Sequence, residues 1–565
     1  MDRVEYERRL AADLLSTTHQ SMWDMLRRSA SRHPRRAAVS MGPATWTYEE
    51  LFRRSLVAAG QLQRLGVTRG SRVAFFFHAC PEWAALHYAL MRLGAVAVPV
   101  SLAFEAAEIG HVLRTADPEL VIAIDAFRGV DYAAKLRAVD PGLVDGETNV
   151  AAMPGLRRLV VLPLDDSERV DPTTEAAEMV FGSSAGEHAE PTLSPRGVAT
   201  CSDAAYIVFT SGSTAHPKPA LCAHRSFLGA ATGFVHALRM TEEDRFLAML
   251  PTFHTGGVTC VLTAPHLSGG CVDLMGAFTP AGALRTLEER RSTVTVGFDT
   301  MYSKILAAPE FATADISSLK KSGFGATPAY IERLDEVWNF EIVAPLYGST
   351  ECGALGAIVP DWATDRAKRF STNGIPLPGV ELEIRDPDTG ERCPPGVAGE
   401  ICFRGWGRFL EYVDLAAETA ESIDEDEFFH SGDYGHVDED GWLYFQGRYK
   451  MMIKTGGENV AEREVEVFLE EHLPQVEFAQ VVGVPDPVWG EAVTAFVQLS
   501  EPVSSETLRA SASGKIARYK IPKHFFALAG DEFPVLANGR PDKAALREMA
   551  VQRVARLETD GSPRL

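Results

Sequence analysis

The chain has 565 residues, of which 55 are basic and 77 acidic, so its formal net charge is −22. Apolar residues make up 46% and charged residues 23%, which excludes a disordered chain or a collagen-like repeat. The acidic balance argues against a nucleic-acid binder or a protein that docks on anionic membranes, because both need basic surfaces. The eight cysteines are scattered without a Cys-x-x-Cys pair, and no apolar run is long enough for a membrane span. We therefore expect a cytoplasmic enzyme with reduced thiols.

The first part of the chain alternates between helical and strand patterns. Residues 47–66 and 82–93 carry apolar side chains at helical spacing. Residues 72–77 and 95–100 are short apolar runs that are typical of buried strands. Alternation of this kind predicts a parallel sheet with crossover helices, and hence an α/β fold.

Three later regions differ in composition. Residues 165–205 are acidic and rich in Ser, Pro and Thr, which predicts a long surface connection. Residues 380–445 contain short strand patterns separated by Asp-Gly and Pro-Gly turns, which predicts a small β-rich subdomain. A helical pattern at 461–472 and the strand patterns after it predict a compact α+β unit at the end of the chain.

A run of hydroxyl and glycine residues follows a strand pattern in the segment YIVFTSGSTAHPKPA at 206–220. Hydroxyls and backbone amides on a loop after a buried strand form a cradle for anions, and a neighbouring lysine adds a positive charge. The loop is not a Walker loop, because it lacks the Gly-Lys-Ser/Thr sequence. An ordinary Ser/Gly turn is the alternative on local grounds.

Two short segments each carry one candidate carboxylate, and the first of them follows a strand pattern. In YGSTE, Glu351 is a candidate metal ligand, and Thr350 is a candidate donor to a phosphate. In HSGD, Asp433 follows a glycine and could accept hydrogen bonds from both hydroxyls of a ribose. A solvated Asp after a Gly turn is the alternative for Asp433.

Two further segments lie near the end of the chain. GRYKMMIKTGGENV at 447–460 contains a Gly-Gly pair that would let the backbone approach a long thin ligand closely. PVLANGRPDK at 534–543 is a turn in which Arg540 follows Asn-Gly.

In this order and spacing, the five segments resemble the acyl- and aryl-adenylating superfamily, which contains acyl-CoA synthetases, peptide-synthetase adenylation domains and luciferases. The resemblance runs from TYEEL near residue 47 to the NGRPDK turn, and VVGVPDPVWGE at 481–491 is closer to the CoA ligases. It implies a large N-terminal domain over residues 1–449 and a small mobile α+β domain over residues 450–565, with a hinge at Lys450. It also implies that a small-molecule carboxylic acid reacts with ATP and Mg²⁺ to give acyl-AMP, from which CoA takes the acyl group.

The resemblance carries roles to matched positions of this chain. It implies phosphate binding by Thr210, Ser211, Gly212, Ser213, Thr214, Lys218 and Thr350. It implies AMP binding by Gly325, Ala326, Tyr347, Gly348, Ser349, Asp433 and Arg448. It implies Mg²⁺ binding by Glu351 and CoA binding by Lys454, Gly456 and Gly457. It implies catalytic roles for Arg540, Lys454 and His254, of which His254 would gate the acyl pocket. The alternative for His254 is a buried histidine whose ring nitrogens are hydrogen-bonded within the core.

Three positions depart from the family pattern. Ala215 and Pro219 stand where the family has glycines. If the first position needs a positive φ, alanine costs about 1–2 kcal/mol there, and a proline removes an amide donor. Arg540 stands where the family has a lysine that reaches the carboxylate and the α-phosphate, and a planar guanidinium has a different reach. All three departures fall on groups that serve activation by ATP.

The first interpretation is therefore an acyl-CoA ligase that forms the thioester from acyl-AMP and CoA, while its own adenylation step is weak or lost. A separate adenylating enzyme would supply the acyl-AMP, as in a division of labour known from diterpenoid-antibiotic biosynthesis. The alternative is a complete ATP-dependent ligase in which Arg540 does the work of the lysine. Acyl transfer to a carrier protein and a non-catalytic acyl-AMP or acyl-CoA binding protein are further alternatives. We expect an acyl pocket lined by Phe298, Met301, Tyr302 and residues 323–326.

Overall fold

The computed structural model describes most of the chain. The described residues are 3–182, 199–210, 217–326, 328–448, 452–455, 458–486, 488–513, 515–516, 518–536 and 539–559. Among them, no helix combines the length and the apolar character needed to cross a membrane.

Two large mixed sheets form the N-terminal domain in the described ranges. The first has eight strands, in the order Glu411–Tyr412, Lys218–Ala223, Ala204–Thr210, Val96–Pro99, Arg72–Phe76, Leu120–Ile124, Arg158–Leu162 and Gly146–Glu147. The second has nine, in the order Ile375–Pro376, Ala357–Ile358, Ile342–Tyr347, Lys321–Gly325, Val294–Phe298, Arg245–Leu247, Cys271–Asp273, Ala37–Met41 and Ala44–Thr47. The central strands of both sheets are parallel, and antiparallel strands close the edges. The predicted α/β fold is confirmed.

Two smaller sheets follow, and a short hairpin precedes them. The antiparallel four-stranded sheet has the order Val380–Arg385, Gly399–Gly405, Phe429–Val437 and Leu443–Arg448, which confirms the predicted β-rich subdomain. The sheet of the C-terminal domain has the order Glu458–Val460, Ile453–Thr455, Gly490–Leu499 and Val476–Asp486, and His524–Ala527 pairs with Gly490–Leu499 in parallel. The hairpin consists of Ala126–Phe127 and Val130–Asp131.

Helices cover the sheets. The α-helices are Arg3–Thr17, Met22–Arg32, Tyr48–Arg64, Pro81–Leu93, Ala106–Ala116, Tyr132–Val139, Glu175–Phe181, His224–Ala237, Ala264–Ser268, Pro280–Arg290, Asp299–Ala307, Pro328–Trp338, Arg366–Ser371, Ala416–Ser422, Glu462–His472, Ser505–Ala512 and Lys543–Thr559. A π-helix spans Gly257–Thr263, and 3₁₀ turns span Pro309–Ala312, Arg518–Lys520 and Gly530–Glu532.

Local chemistry explains the helices that the sequence predicts. The helix Tyr48–Arg64 begins with a complete capping box, because the Thr47 hydroxyl accepts from the Glu50 amide and the Glu50 carboxylate accepts from the Thr47 amide. Nearly every residue of the helix Pro81–Leu93 is buried, so apolar side chains occupy nearly all of its faces. The predicted connection at 165–205 differs from the structure, because it contains the helix Glu175–Phe181, whose N-cap is Thr174. A short helix that buries only one edge has few apolar residues at helical spacing. Its hydrophobic periodicity is therefore too weak to predict a helix within an acidic segment.

The C-terminal domain packs against two helices of the N-terminal domain. The Arg333 guanidinium lies 3.0 Å from the Glu477 carboxylate, and the Ser303 hydroxyl donates to Gln498 Oε1 at 3.1 Å. The Thr300 hydroxyl donates to the carbonyl of Gly539. These contacts bring the turn that contains Arg540 into the cleft between the two large sheets.

Candidate active site

A cavity of about 330 Å³ lies where parallel strands of both large sheets end. Its wall includes Phe77, Leu102, Leu250 and Gly276, each of which comes soon after the carboxyl end of a parallel strand. Ligands of open α/β sheets bind at this end of the strands. Leu536, from the C-terminal domain, closes the cavity. The site is therefore built by both sheets and both domains.

Asp433 is the buried carboxylate of the site. It lies directly opposite Arg448 in the four-stranded sheet, and its Oδ1 lies 3.1 Å from Arg448 Nε. The Tyr347 hydroxyl donates to Asp433 Oδ2 at 2.8 Å. Burial raises the pKa of Asp433, and the charge of Arg448 opposes that shift. The structure thus joins three residues for which the resemblance implies AMP binding.

Glu351 is held by a tyrosine that the sequence does not single out. The Tyr412 hydroxyl donates to Glu351 Oε1 at 2.9 Å, and the ammonium of Lys218 lies 5.1 Å from the centre of the Tyr412 ring. The Thr350 hydroxyl lies 3.5 Å from that of Thr255. Tyr412 belongs to a two-residue edge strand and has no motif around it, so no local signal marks it. This contact uses Glu351 Oε1, so Oε2 is the oxygen that the predicted metal ion would contact.

Replacing Tyr412 by phenylalanine is expected to raise the Mg²⁺ concentration needed for half-maximal ATP–pyrophosphate exchange by about tenfold, because outer partners orient metal ligands. Thioester formation from supplied acyl-AMP should change little, since that step needs no contact with pyrophosphate. The matched control is Tyr434→Phe, because the Tyr434 hydroxyl faces the Ala398 carbonyl in the β-rich subdomain. An unchanged Mg²⁺ requirement in Tyr412→Phe would contradict the positioning role.

The hydroxyl-rich segment is the connection of a β-hairpin. Thr210 pairs with Lys218, so residues 211–217 join two antiparallel strands. Ser211, Gly212, Ser213, Thr214 and Ala215 lie outside the described residues, so their phosphate-binding role stays a prediction.

The position of Pro219 differs from the expectation that its missing amide weakens the loop. Pro219 is a strand residue opposite Phe209, and its carbonyl accepts from the Val413 amide at 2.9 Å. Because the N–H and C=O groups of one strand residue point to the same side, the missing donor faces the Val413 side. Proline near such a sheet edge is tolerated. The N–H group that Pro219 lacks is not one of the backbone donors of residues 211–217.

Arg540 reaches the cleft from the C-terminal domain. Its guanidinium carbon lies 5.2 Å from the centre of the Phe298 ring, which is a cation–π contact. A Cβ on Gly325 would lie 2.9 Å from a ring carbon of Phe298, so glycine leaves room for that ring. Burial lowers the pKa of Arg540, and the positive charge of Arg448 lowers it further, while Asp433 opposes both. Arg540 therefore shares the electrostatic environment of the other site residues.

His254 lies in the same environment and is neutral. Its Nδ1 accepts from the Gly256 amide at 3.1 Å, so the ring proton resides on Nε2. Burial and the charge of Arg540 lower the pKa of His254 to about 3. A neutral Nε2–H can donate a hydrogen bond into the cleft but cannot act as a cation there.

The pH profile of thioester formation is expected to show no inflection from His254 between about pH 5 and 9, because the ring stays neutral over that range. His254→Gln, which keeps a neutral donor, should change the rate without changing the shape of the profile. Rates with a fixed acyl-AMP concentration across that range provide the measurement. Loss of an inflection near about pH 6 in the variant would contradict a neutral histidine.

The remaining predicted residues divide into three groups. Ala326, Gly348 and Ser349 lie at or just after the strand ends Gly325 and Tyr347. Met301 lines the cavity as expected, whereas Tyr302 is buried and its hydroxyl contacts that of Ser322 at 2.6 Å, so it is a core residue rather than a pocket residue. Lys450, the predicted hinge, and Gly456 and Gly457, which are predicted to bind CoA, lie outside the described residues, as does the side chain of Lys454, so these roles stay predictions.

Two buried atoms of the site lack a complete set of partners within the described ranges. Ser349 Oγ has no hydrogen-bond partner, and Asp433 Oδ1 has only its ion-pair contact with Arg448 Nε at 3.1 Å. Buried polar atoms without partners are costly unless a ligand satisfies them. A ribose and its neighbouring groups would supply the missing donors, and Glu351 Oε2 would hold Mg²⁺ beside the phosphates.

Family models and sequence relatives match most of the chain. A family model for the AMP-binding enzyme matches residues 26–413, and one for the AMP-binding enzyme C-terminal domain matches residues 464–540. The chain is 30% identical over 526 residues to the medium-chain fatty-acid–CoA ligase of Escherichia coli (strain K12), covering 92% of this chain and 88% of that protein. It is 30% identical over 523 residues to a feruloyl-CoA synthase of Amycolatopsis sp, covering 92% and 97%.

A solved structure shows the same fold. The anthranilate CoA ligase AuaEII, in complex with anthranoyl-AMP, superposes with a TM-score of 0.81 at 22% identity, covering 95% of this chain and 98% of that chain. The chain belongs to the AMP-binding enzyme family and is an acyl-CoA ligase of the AMP-forming type, an enzyme class that works with ATP and Mg²⁺, acyl-AMP and CoA.

Proposed function

We propose that this enzyme forms an acyl-CoA thioester from an acyl-adenylate and CoA, and that its own ATP-dependent adenylation is slow. The observation that carries the proposal is Arg540, which stands at the position of the family's lysine and stacks over Phe298. A lysine presents one compact ammonium that can contact a carboxylate and an α-phosphate together. A guanidinium is a planar fork whose donors have fixed directions, so the exchange displaces the positive charge.

The surroundings of Arg540 support the same proposal. The charge of Arg448 disfavours a second cation nearby, and the Phe298 ring holds the guanidinium by its face. An offset of about 1 Å in such a site can reduce a rate about a hundredfold. Attack of the carboxylate on the α-phosphate of ATP needs that charge to bring two anions together. Attack of the CoA thiol on acyl-AMP does not, because the mixed anhydride is already activated.

The contacts of Asp433 support the second half-reaction. Asp433, Tyr347 and Arg448 form one bonded set that would hold the ribose of acyl-AMP. The cavity beside Leu250 has mostly apolar walls and includes Met301, which suits the acyl group of acyl-AMP. The thiolate attacks the acyl carbonyl, the acyl–phosphate bond breaks, and AMP leaves with the electron pair. Rotation of the C-terminal domain about Lys450 would open this path.

A complete ATP-dependent ligase is the second candidate. It is favoured by the position of Arg540 itself, whose charge acts on His254, Asp433 and Glu351 from inside the cleft. The strand position of Pro219 favours it too, since no loop donor is lost there. Under this candidate, Arg540 performs the lysine's role and no separate adenylating partner is needed.

Two parallel assays separate the candidates. ATP–pyrophosphate exchange is measured with a panel of acids suggested by the relatives, namely octanoate, ferulate and anthranilate, and with bulkier polycyclic acids. CoA-thioester formation is measured from the corresponding synthetic acyl-AMPs. We expect thioester formation from at least one acyl-AMP with little exchange for the matching acid. Robust exchange establishes the complete ligase instead.

The same assay of thioester formation identifies the acceptor of the acyl group and shows whether acyl-AMP must come from another enzyme. A titration with CoA against a pantetheinylated carrier protein distinguishes the two acceptors, and CoA is expected to be preferred. Binding of acyl-AMP without turnover to either acceptor would point to a non-catalytic binding protein. A thioester-forming enzyme with slow exchange requires a separate adenylating enzyme as its source of acyl-AMP, and we propose that both act in the cytoplasm.

A further inference from the structure

A histidine, a cysteine and a glutamate converge on the small four-stranded sheet. Glu400 and Cys402 are two positions apart on one strand, so their side chains share a face of the sheet. His430 lies directly opposite Cys402 on the neighbouring strand. None of the three is assigned a role in binding acyl-AMP or CoA.

The distances within this group suit a metal ion. His430 Nδ1 lies 2.8 Å from Glu400 Oε2 and 3.5 Å from Cys402 Sγ. The three ligand atoms all lie within 4.8 Å of one another. Zn²⁺ bonds to N, O and S are about 2.0–2.3 Å long, so small side-chain rotations would place one ion between the three atoms.

Outer contacts already orient two of the ligands. His430 Nε2 lies 3.4 Å from Asp424 Oδ2, so a carboxylate faces the ring nitrogen that would not bind the metal. Glu400 Oε1 accepts from the Gly432 amide at 2.8 Å, which leaves Oε2 for the metal. In protein metal sites, the second nitrogen of a ligating histidine usually donates to a carboxylate. A ligating carboxylate usually accepts a further hydrogen bond.

The exposure of the three side chains and the charges around them are compatible with a bound metal ion. Cys402 is buried, whereas the side chains of Glu400 and His430 are 17% and 28% exposed, so an ion and one water can enter from solvent. Arg385 is the nearby cation, but it is paired with Asp424 at 2.5 Å and with Glu383 at 3.3 Å rather than with Glu400.

We propose that Glu400, Cys402 and His430 form a Zn²⁺ site with a water as the fourth ligand. The mixed set of sulfur, nitrogen and oxygen ligands favours Zn²⁺ over the hard cations Mg²⁺ and Ca²⁺. Binding releases the thiol proton to solvent, and His430 binds through an unprotonated Nδ1 while its Nε2–H faces Asp424. Because Glu400 also holds the Gly432 amide, the ion would stabilise the turn that carries Asp433.

Cobalt serves as the spectroscopic probe for this site. The full-length protein is stripped of metal and titrated with Co²⁺, and Zn²⁺ is then added in competition. We expect one Co²⁺ per chain, a thiolate-to-cobalt charge-transfer band, and displacement by one equivalent of Zn²⁺. Cys402→Ser should lose the band, while Cys393→Ser, which removes a thiol of the same subdomain outside the group, should keep it.

Two conservative variants keep the test decisive if Cys402→Ser does not fold. His430→Gln and Glu400→Gln alter partly exposed side chains, and each should weaken Co²⁺ binding at least about tenfold. Circular dichroism and thermal unfolding verify the fold, and Zn²⁺ should raise the unfolding temperature of the wild type but not of these variants. An unchanged band in Cys402→Ser, or a folded wild type that binds no Co²⁺, would show that the group is an ion-pair network only. These readouts use no acyl substrate, so they are independent of the proposed function.

Discussion

Replacing Arg540 by lysine is expected to raise ATP–pyrophosphate exchange by about ten- to a hundredfold. The lysine restores a compact charge that can lie between the carboxylate and the α-phosphate, without the stacking on Phe298 that fixes the guanidinium. Thioester formation from supplied acyl-AMP should stay within about twofold, since the activated anhydride needs no such cation. Initial rates of both half-reactions, measured with one matched acid and its acyl-AMP, provide the comparison.

Arg540→Gln is the matched control for this prediction. It keeps a long polar side chain but removes the charge, so its exchange should not exceed that of the wild type. If exchange is high in the wild type and falls in both variants, Arg540 itself performs the lysine's role, and the complete ligase is the correct function. A rise in Arg540→Lys alone identifies the guanidinium as the cause of slow adenylation.

Replacing Asp433 by asparagine is expected to raise the KM for acyl-AMP by about ten- to a hundredfold, because hydrogen bonds to a charged group contribute about 1.5–3 kcal/mol. The variant keeps the size of the side chain and an acceptor for Tyr347. It loses the charge that pairs with Arg448 and one acceptor for the ribose hydroxyls. KM from thioester formation and AMP affinity by calorimetry should change together.

The pH dependence of AMP binding gives a second readout at Asp433. Burial raises the pKa of this carboxyl, so it gains a proton at a higher pH than an exposed aspartate does. AMP affinity in the wild type should therefore fall on acidification through that raised pKa, and Asp433→Asn should lack this fall. Tyr347→Phe removes one hydrogen bond only, so it should raise KM less than Asp433→Asn does. An unchanged KM in Asp433→Asn would remove Asp433 from the ribose site.

Much of the architecture was predictable because it depends on local patterns. The capping box at Thr47 and the apolar runs at 72–77 and 95–100 specify a helix and two strands within a few residues of sequence. The helix Glu175–Phe181 was not predictable, because its period is short and it sits in an acidic stretch. The β-rich subdomain was visible from its turns, but its strand order was not.

The family and most of the candidate residues were predictable from the amino-acid sequence, because ordered motifs such as YGSTE and HSGD are contiguous and can be identified locally. Which side chains contact one another became known from the three-dimensional structure. Tyr412 contacts Glu351 across 61 positions and Tyr347 contacts Asp433 across 86, and both contacts depend on how the sheets of the N-terminal domain are assembled. The effect of Pro219 also depends on the three-dimensional structure. Its missing backbone N–H lies in a strand near the sheet edge, and not in the connection at 211–217. Pairings between distant strands and between domains are decided by the packing of the whole core, so no local pattern encodes them.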